Sequence, residues 1–416
     1  MADGALRVAE PSLSVTASAR LDSLTGLRGL TSTWIYVFHF FTFRFVLESG
    51  KLTFVQLDRP RFLTMAGNMA LSSFFVLSGF VLTLTTREGT SLANFCAKRV
   101  GKLYPIYFVT SALAIIAILL IGMPISTENI VLHLGMLQSW VPYQEIYHGV
   151  NPVTWSLSTE AFFYVLFPLS LFLLRRLSTR ALGIMLVVAV FLEFALPWYV
   201  MRYFTVNPDG AGSAFLSSGG TGGDLVYWFT LAAPPYRFLE FVVGMICCLL
   251  LRRGALPFVR QRWAWLFVAV GYLIGTYAPG YWQRTAVGLV PLAVLLVSLA
   301  QADLAEHASF LRHRFFVRLG DLSFGLYAIQ LLVLLPSYPF LLRWLSSTLD
   351  VPERTLEHLP WNVAFVLAYF GVIVLLAMPL HRYVEVPAYN VARRFFRDRP
   401  GSAMFTESDV PARTGP

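Results

Sequence analysis

Apolar stretches, separated by short polar and basic segments, recur along the whole 416-residue chain. A helix of about 20 apolar residues crosses the ~30 Å hydrocarbon core of a bilayer. Stretches near that length lie at 28–47, 68–86, 104–122, 155–174, 181–200, 236–251, 263–278, 285–300, 320–341 and 361–380. The pattern predicts an all-α, polytopic transmembrane bundle of about ten helices. Between the third and fourth spans, 127–140 (TENIVLHLGMLQSW) has apolar residues at near-helical spacing. It is expected to lie in the interface or over the mouth of the bundle. Glycine-rich 207–224 is expected to be mobile. Residues 1–20 and 396–416 are expected to be polar cytoplasmic tails around one membrane domain, 21–395.

The basic residues orient this arrangement. The loops after the even-numbered spans hold Arg87, Lys98, Arg99, Lys102, Arg175 and Arg176, among others, and a further basic group follows the tenth span. The opposite loops carry fewer than half as many. The positive-inside rule therefore predicts cytoplasmic termini and a multi-pass protein of the plasma membrane. The net charge of +9 is a topology signal on this reading. No basic soluble surface is visible that would take nucleic acid. Composition agrees with a lipid environment: 56% of residues are hydrophobic, the mean hydropathy is +0.63, and only 13% are charged. A soluble domain carries about 25% charged residues. The three cysteines suggest neither a disulfide framework nor a metal site.

Ionisable residues inside the spans are the candidates for chemistry. Arg28 and His39 lie eleven residues apart in LTGLRGLTSTWIYVFHFF. Eleven helical steps return to within about 20° of the starting direction, so both side chains share a face, about 16 Å apart along the axis. An imidazole there can exchange protons near neutral pH, and the arginine can hold an anion. Helix–helix hydrogen bonding and snorkelling are the plainer roles for this pair. Glu160, in WSLSTEAFFY, could orient or deprotonate an imidazole, accept a hydrogen bond from a hydroxylated substrate, or pair with a neighbouring helix. Arg237 and Glu240 are three apart on one face, which a local ion pair explains. Glu193 has no partner that sequence can name. Ser78 and its small neighbours in LSSFFVLSGF fit close helix packing. Arg99 and Lys102 in the loop KRVGKLYP, with Pro105 opening the next span, either bind phosphates or serve topology.

Several of these segments coincide with one family. Arg28 and His39 make an Arg-x10-His signature, SSFFVLSGF is similar to the family's second-span element, and Arg99 and Pro105 fit its Arg-x-x-Arg-x-x-Pro segment. Trp155, Ser156, Ser158 and Glu160 fit its WSLSxE motif, and RFLEFVVGM and RYVEVP follow in order. Over roughly 21–395 the chain resembles the integral-membrane acyltransferase family 3. Lys102 stands where the family has its second arginine, keeping the charge without the planar fork. Gln330 stands where family members often carry a histidine, and glutamine cannot accept a proton.

The resemblance implies an O-acyltransferase using acyl-CoA, most simply acetyl-CoA, as co-substrate, with no permanently bound cofactor and no metal. Arg99, Lys102 and Arg28 would hold the donor's phosphates. His39 would act as general base or as nucleophile through an acyl-imidazole, with Glu160 and Arg28 in the catalytic set. Trp155, Ser156, Ser158, Ser78, Glu240 and Arg237 would serve the acceptor or the framework. The motif variants look most like members that acylate macrolides or similar secreted natural products. A surface polysaccharide or cell-wall glycan is the alternative acceptor. A proton-coupled secondary transporter is the alternative of another class, although no repeated, broken spans are visible.

Overall fold

The structure is a computed structural model that describes residues 21–48, 51–56, 61–87, 90–204, 222–356 and 359–395. The expected tails lie outside the described residues, as does the glycine-rich stretch up to residue 221. Sixteen helices carry the described chain: α1 (Asp22–Thr42), α2 (Arg61–Thr85), α3 (Leu92–Ile121), α4 (Thr127–Leu134), α5 (Gln144–Tyr147), α6 (Trp155–Arg176), α7 (Thr179–Phe204), α8 (Gly222–Leu231), α9 (Pro234–Arg252), α10 (Gln261–Tyr277), α11 (Gly280–Gln283), α12 (Ala286–Leu304), α13 (Arg314–Leu349), α14 (Glu353–Leu356), α15 (Leu359–Pro379) and α16 (Val386–Phe395). A π-helical turn, Leu380–Glu385, joins α15 to α16. Eight helical segments are long and apolar enough to cross a membrane. The first and seventh expected spans correspond to α1, which carries Asp22, Arg28 and His39, and to the 17-residue α10.

Two boundaries differ from the pattern. The first span was expected to reach residue 47, but α1 stops at Thr42 and a short antiparallel hairpin follows, β1 (Phe43–Glu48) and β2 (Lys51–Gln56), with Phe43 opposite Gln56. The run FRFVLE is as apolar as a helix end, and its aromatic and β-branched content suits a strand equally well. In the second case KRVGKLYP is no loop. Ser91 caps α3, its hydroxyl accepting from the Asn94 amide at 3.2 Å, and the helix runs on through Pro105. Proline removes one ladder bond, to the carbonyl four residues back, without ending the helix here. Arg99 and Lys102 are thereby fixed three apart on one helix face.

Close approach sets the middle of the bundle. A Cβ on Gly79 would run into the Phe241 carbonyl, and one on Gly244 into that of Val76, so α2 and α9 cross at backbone contact. Gly29 and Gly320 do the same for α1 and α13. Small residues permit such crossings, and dispersion and lipid exclusion hold them. The helices α2, α9 and α12 are buried along most of their length, whereas α3, α7 and α15 turn most of their surface outward. The outward face of α7 carries exposed Val187 and Phe191, the chemistry of a lipid contact. The basic loops gather at one end, where Arg175 donates to the Thr86 carbonyl (3.3 Å) and Arg253 to those of Leu177 (2.8 Å) and Arg175 (3.1 Å). At the other end the segment expected over the mouth forms α4 and a 3-10 turn, Gln138–Trp140. It is tied down by Tyr107, which donates to the His133 carbonyl, and by a 2.9 Å bond between Ser111 and His133 Nε2.

Candidate active site

Two cavities lie along the inner face of α1. The first opens among α1, α2, α3, α6 and α13 and is lined by Arg28, Arg99, Lys102, Glu160 and Ser78. Three of these side chains are cationic and one is acidic, so the cavity favours an anion. Glu160 is held in place: Ser78 donates to its Oε1 at 2.8 Å and Tyr164 at 2.6 Å. Arg99 lies 5.9 Å from the Tyr164 ring centroid and 5.8 Å from that of Phe95. Lys102 feels the charges of Arg28, Glu385, Arg99 and Glu160 together. Glu385 comes from the RYVEVP segment, on the π turn, where it accepts from His381 Nδ1 at 2.9 Å. A close contact between Gly101 and Ala392 packs α16 on α3 and carries that turn up to Lys102.

The second cavity lies nearer the opposite end. His39, Asn68, His148, Gln283 and Arg284 line it. Leu71 and Tyr327 line both cavities and so form the partition between them. The shared-face prediction for Arg28 and His39 thus has a structural counterpart: one side of α1 looks into both chambers, with the cation in one and the imidazole in the other. His39 is buried, and Gln330, whose Nε2 donates to the Tyr327 carbonyl at 3.1 Å, lies beside its ring. The position at which the family often has a second histidine therefore touches the imidazole, and glutamine keeps that contact. Glu160, expected as a possible orienting group for His39, spends its hydrogen bonds on Ser78 and Tyr164 instead. A second imidazole, His148, reaches the cavity from the loop after α5. Burial, and then the neighbouring His39, hold it far below the usual histidine range, at about 3, so it is neutral at physiological pH.

The remaining motif residues divide by location. Trp155 lines the second cavity. Ser156 donates to the Tyr327 hydroxyl at 2.7 Å, and that hydroxyl donates to the Val153 carbonyl at 2.6 Å, which fixes the partition. Ser158 donates to the Met136 carbonyl at 2.6 Å and bonds Ser139 at 2.7 Å, pinning the cover over the mouth. Arg237 and Glu240 form a 3.1 Å ion pair, both fully buried, with the guanidinium 4.9 Å from the Phe75 ring centroid. They line neither cavity. Glu193, unassigned from sequence, lies by Tyr236, whose hydroxyl donates to the Glu193 carbonyl at 3.0 Å. Sequence reasoning did not single out His148, Arg284, Tyr164, Tyr327 or Glu385. Glu385 carried a signal, the carboxylate of RYVEVP, and so did Tyr164, which ends WSLSTEAFFY four residues after Glu160 on the same helix face. The others sit in loops or on apolar helices where nothing local sets them apart.

Residues 21–382 match the family described as Acyltransferase domain. Acyltransferase MdmB of Streptomyces mycarofaciens is 29% identical over 384 residues, covering 90% of this chain and 93% of the relative. No solved structure matches. The family match removes the transporter alternative and takes in every cavity-lining residue named above, and with it the chain belongs to the acyltransferase family, as a membrane O-acyltransferase.

Proposed function

We propose that this protein transfers an acyl group, in the simplest case acetyl, from acyl-CoA to a hydroxyl of a secreted natural product such as a macrolide. The observation that carries this reading is the pair of chambers along α1, with Arg28, Arg99 and Lys102 in one, His39 in the other, and Leu71 and Tyr327 facing both. Coenzyme A needs such a division, because its charged phosphates and its reactive thioester lie at opposite ends of a long, thin arm. The phosphates would sit among the three cations at the basic, cytoplasmic end, and the arm would pass the partition to present the thioester to His39. Charge-assisted hydrogen bonds to the phosphates supply affinity, and the fork of Arg99 suits them best.

His39 would take the acceptor's hydroxyl proton as the oxygen attacks the thioester carbonyl, the work of a general base. Gln330 lies beside the ring. An acceptor reaching His39 from the far end meets Asn68 and Gln283, neutral groups that suit hydroxyls. The WSLSTEAFFY, NPVTW and SLTGLR variants support a small natural product over a glycan.

The test is direct. Purified protein in lipid nanodiscs receives labelled acetyl-CoA with a panel of hydroxylated macrolides and polysaccharides, and ester formation is followed by mass spectrometry. Transfer to a macrolide is expected, and His39→Gln should lower it by about 10²–10⁴-fold while the protein stays folded. Transfer to glycans alone would replace the acceptor. Near wild-type transfer by His39→Gln would remove the proposed base.

A further inference from the structure

Arg284 has no role in the reading so far, and its surroundings are unusual. It follows α11, just before the N-terminus of α12, and its guanidinium faces the chamber that holds His39. The side chain is fixed from behind. Its Nη1 donates to Thr230 Oγ1 at 3.0 Å, and the guanidinium carbon lies 4.5 Å from the Tyr227 ring centroid. Its own carbonyl accepts from Arg237 Nη1 at 3.5 Å, which ties it to the buried Arg237–Glu240 pair.

What it lacks is an anion. Among the described residues the ion pairs do not include Arg284; the tyrosines Tyr227, Tyr147 and Tyr236 lie near it, and His39 and His148 share its cavity. A guanidinium has five N–H groups, and Thr230 takes one. A cation half-buried in a cavity wall is costly unless a partner compensates it. Coenzyme A's phosphates have three other cations, beyond the partition. Beside His39, acyl transfer generates negative charge first on the carbonyl oxygen of the thioester and then on the departing sulfur, which the His39 imidazolium can neutralise by giving up its proton.

We propose that Arg284 is the electrophile of acyl transfer, its remaining N–H groups receiving the thioester carbonyl oxygen as that atom becomes an oxyanion. This rests on the acyl-CoA reading above. The acceptor oxygen bonds to the thioester carbon as His39 takes the hydroxyl proton, and the carbonyl π pair moves onto the oxygen held by Arg284. The pair then returns, the carbon–sulfur bond breaks, and the departing thiolate takes the proton from the His39 imidazolium. The products are an ester and the free coenzyme A thiol. Such a donor acts only where charge develops, so it serves the transition state and contributes little to ground-state binding.

Steady-state kinetics on the full chain in nanodiscs test this, with both thiol release from acetyl-CoA and ester formation recorded. Arg284→Gln should lower kcat by about 10²–10³-fold and leave the KM of donor and acceptor within about twofold. Arg284→Lys, which keeps the charge without the fork, should retain more activity than Arg284→Gln. Added guanidinium ions should restore part of the activity of Arg284→Ala, which a folding defect would not allow. An unchanged kcat, or a raised acceptor KM with kcat intact, would overturn the proposal and leave Arg284 as framework or acceptor anchor. Wild-type protein that releases thiol without forming ester would refute the acceptor assignment alone. The Arg284 effect is still read in thiol release, since attack by water forms the same oxyanion. Wild-type protein that turns over no acyl-CoA would sink the functional reading and this inference with it.

Discussion

At the scale of the residue, the site separates charge from proton transfer. Arg28, Arg99 and Lys102 converge on one chamber from two helices, and His39 meets Gln330 in the other. Gln330, at the position where the resemblance sets a histidine, lies beside the base but cannot accept a proton. All proton transfer at that point then falls to His39. The donor assignment has its own consequence. Arg99→Ala should raise the KM for acyl-CoA by about tenfold or more, with acceptor dependence little changed, since a charge-assisted bond contributes roughly 1.5–3 kcal/mol. Lys102→Arg should be tolerated, and Arg99→Lys should be the worse exchange because it gives up the two-pronged grip on phosphate. An unchanged KM in purified, quantified Arg99→Ala protein would return this cluster to a topology signal.

At the scale of the element, the crossings that hold the chambers open depend on absent side chains. Leucine at Gly79 or Gly244 has nowhere to go, because the opposing carbonyl of α9 or α2 occupies the space. Overpacking costs about 1–3 kcal/mol or more where backbone must move. Gly79→Leu and Gly244→Leu should therefore lower the thermal unfolding midpoint of the detergent-solubilised protein and reduce its yield. Gly183, on the outward side of α7, has nothing within 4 Å of a built Cβ. Gly183→Ala should be neutral or slightly stabilising, by roughly 0.4–1 kcal/mol. Equal behaviour of the three variants in a thermal-shift assay would show that the α2–α9 crossing is not the tight point described here.

At the scale of the whole molecule, sidedness decides which chamber meets which pool of substrate. The basic loops collect at one end and the covered mouth lies at the other, so the end with Arg99 and Lys102 should face the cytoplasm, where acyl-CoA is found. Gln144, in α5, and Ala255, between α9 and α10, are exposed at opposite ends. On a Cys96→Ser background, a membrane-impermeant thiol reagent applied to intact cells should label Gln144→Cys and spare Ala255→Cys. The reverse pattern would invert the molecule and place the cationic chamber away from the donor.

Much of this protein was legible without coordinates. Apolar length and basic-residue bias are properties of local sequence, and they were enough for the membrane class and the bundle. Helical periodicity is local too, so the shared face of Arg28 and His39 and the pairing of Arg237 with Glu240 could both be read from spacing. Other features depend on elements far apart in the chain. FRFVLE and KRVGKLYP were read as span and loop because short apolar runs and a lone proline are ambiguous until tertiary packing chooses among their conformations. The division into two chambers, the contact of Gln330 with His39, the approach of Glu385 to Lys102 and the anion-free setting of Arg284 are decided by distances between helices. Those distances follow from backbone contact at the glycine crossings, between positions such as Gly79 and Phe241 that no local pattern connects.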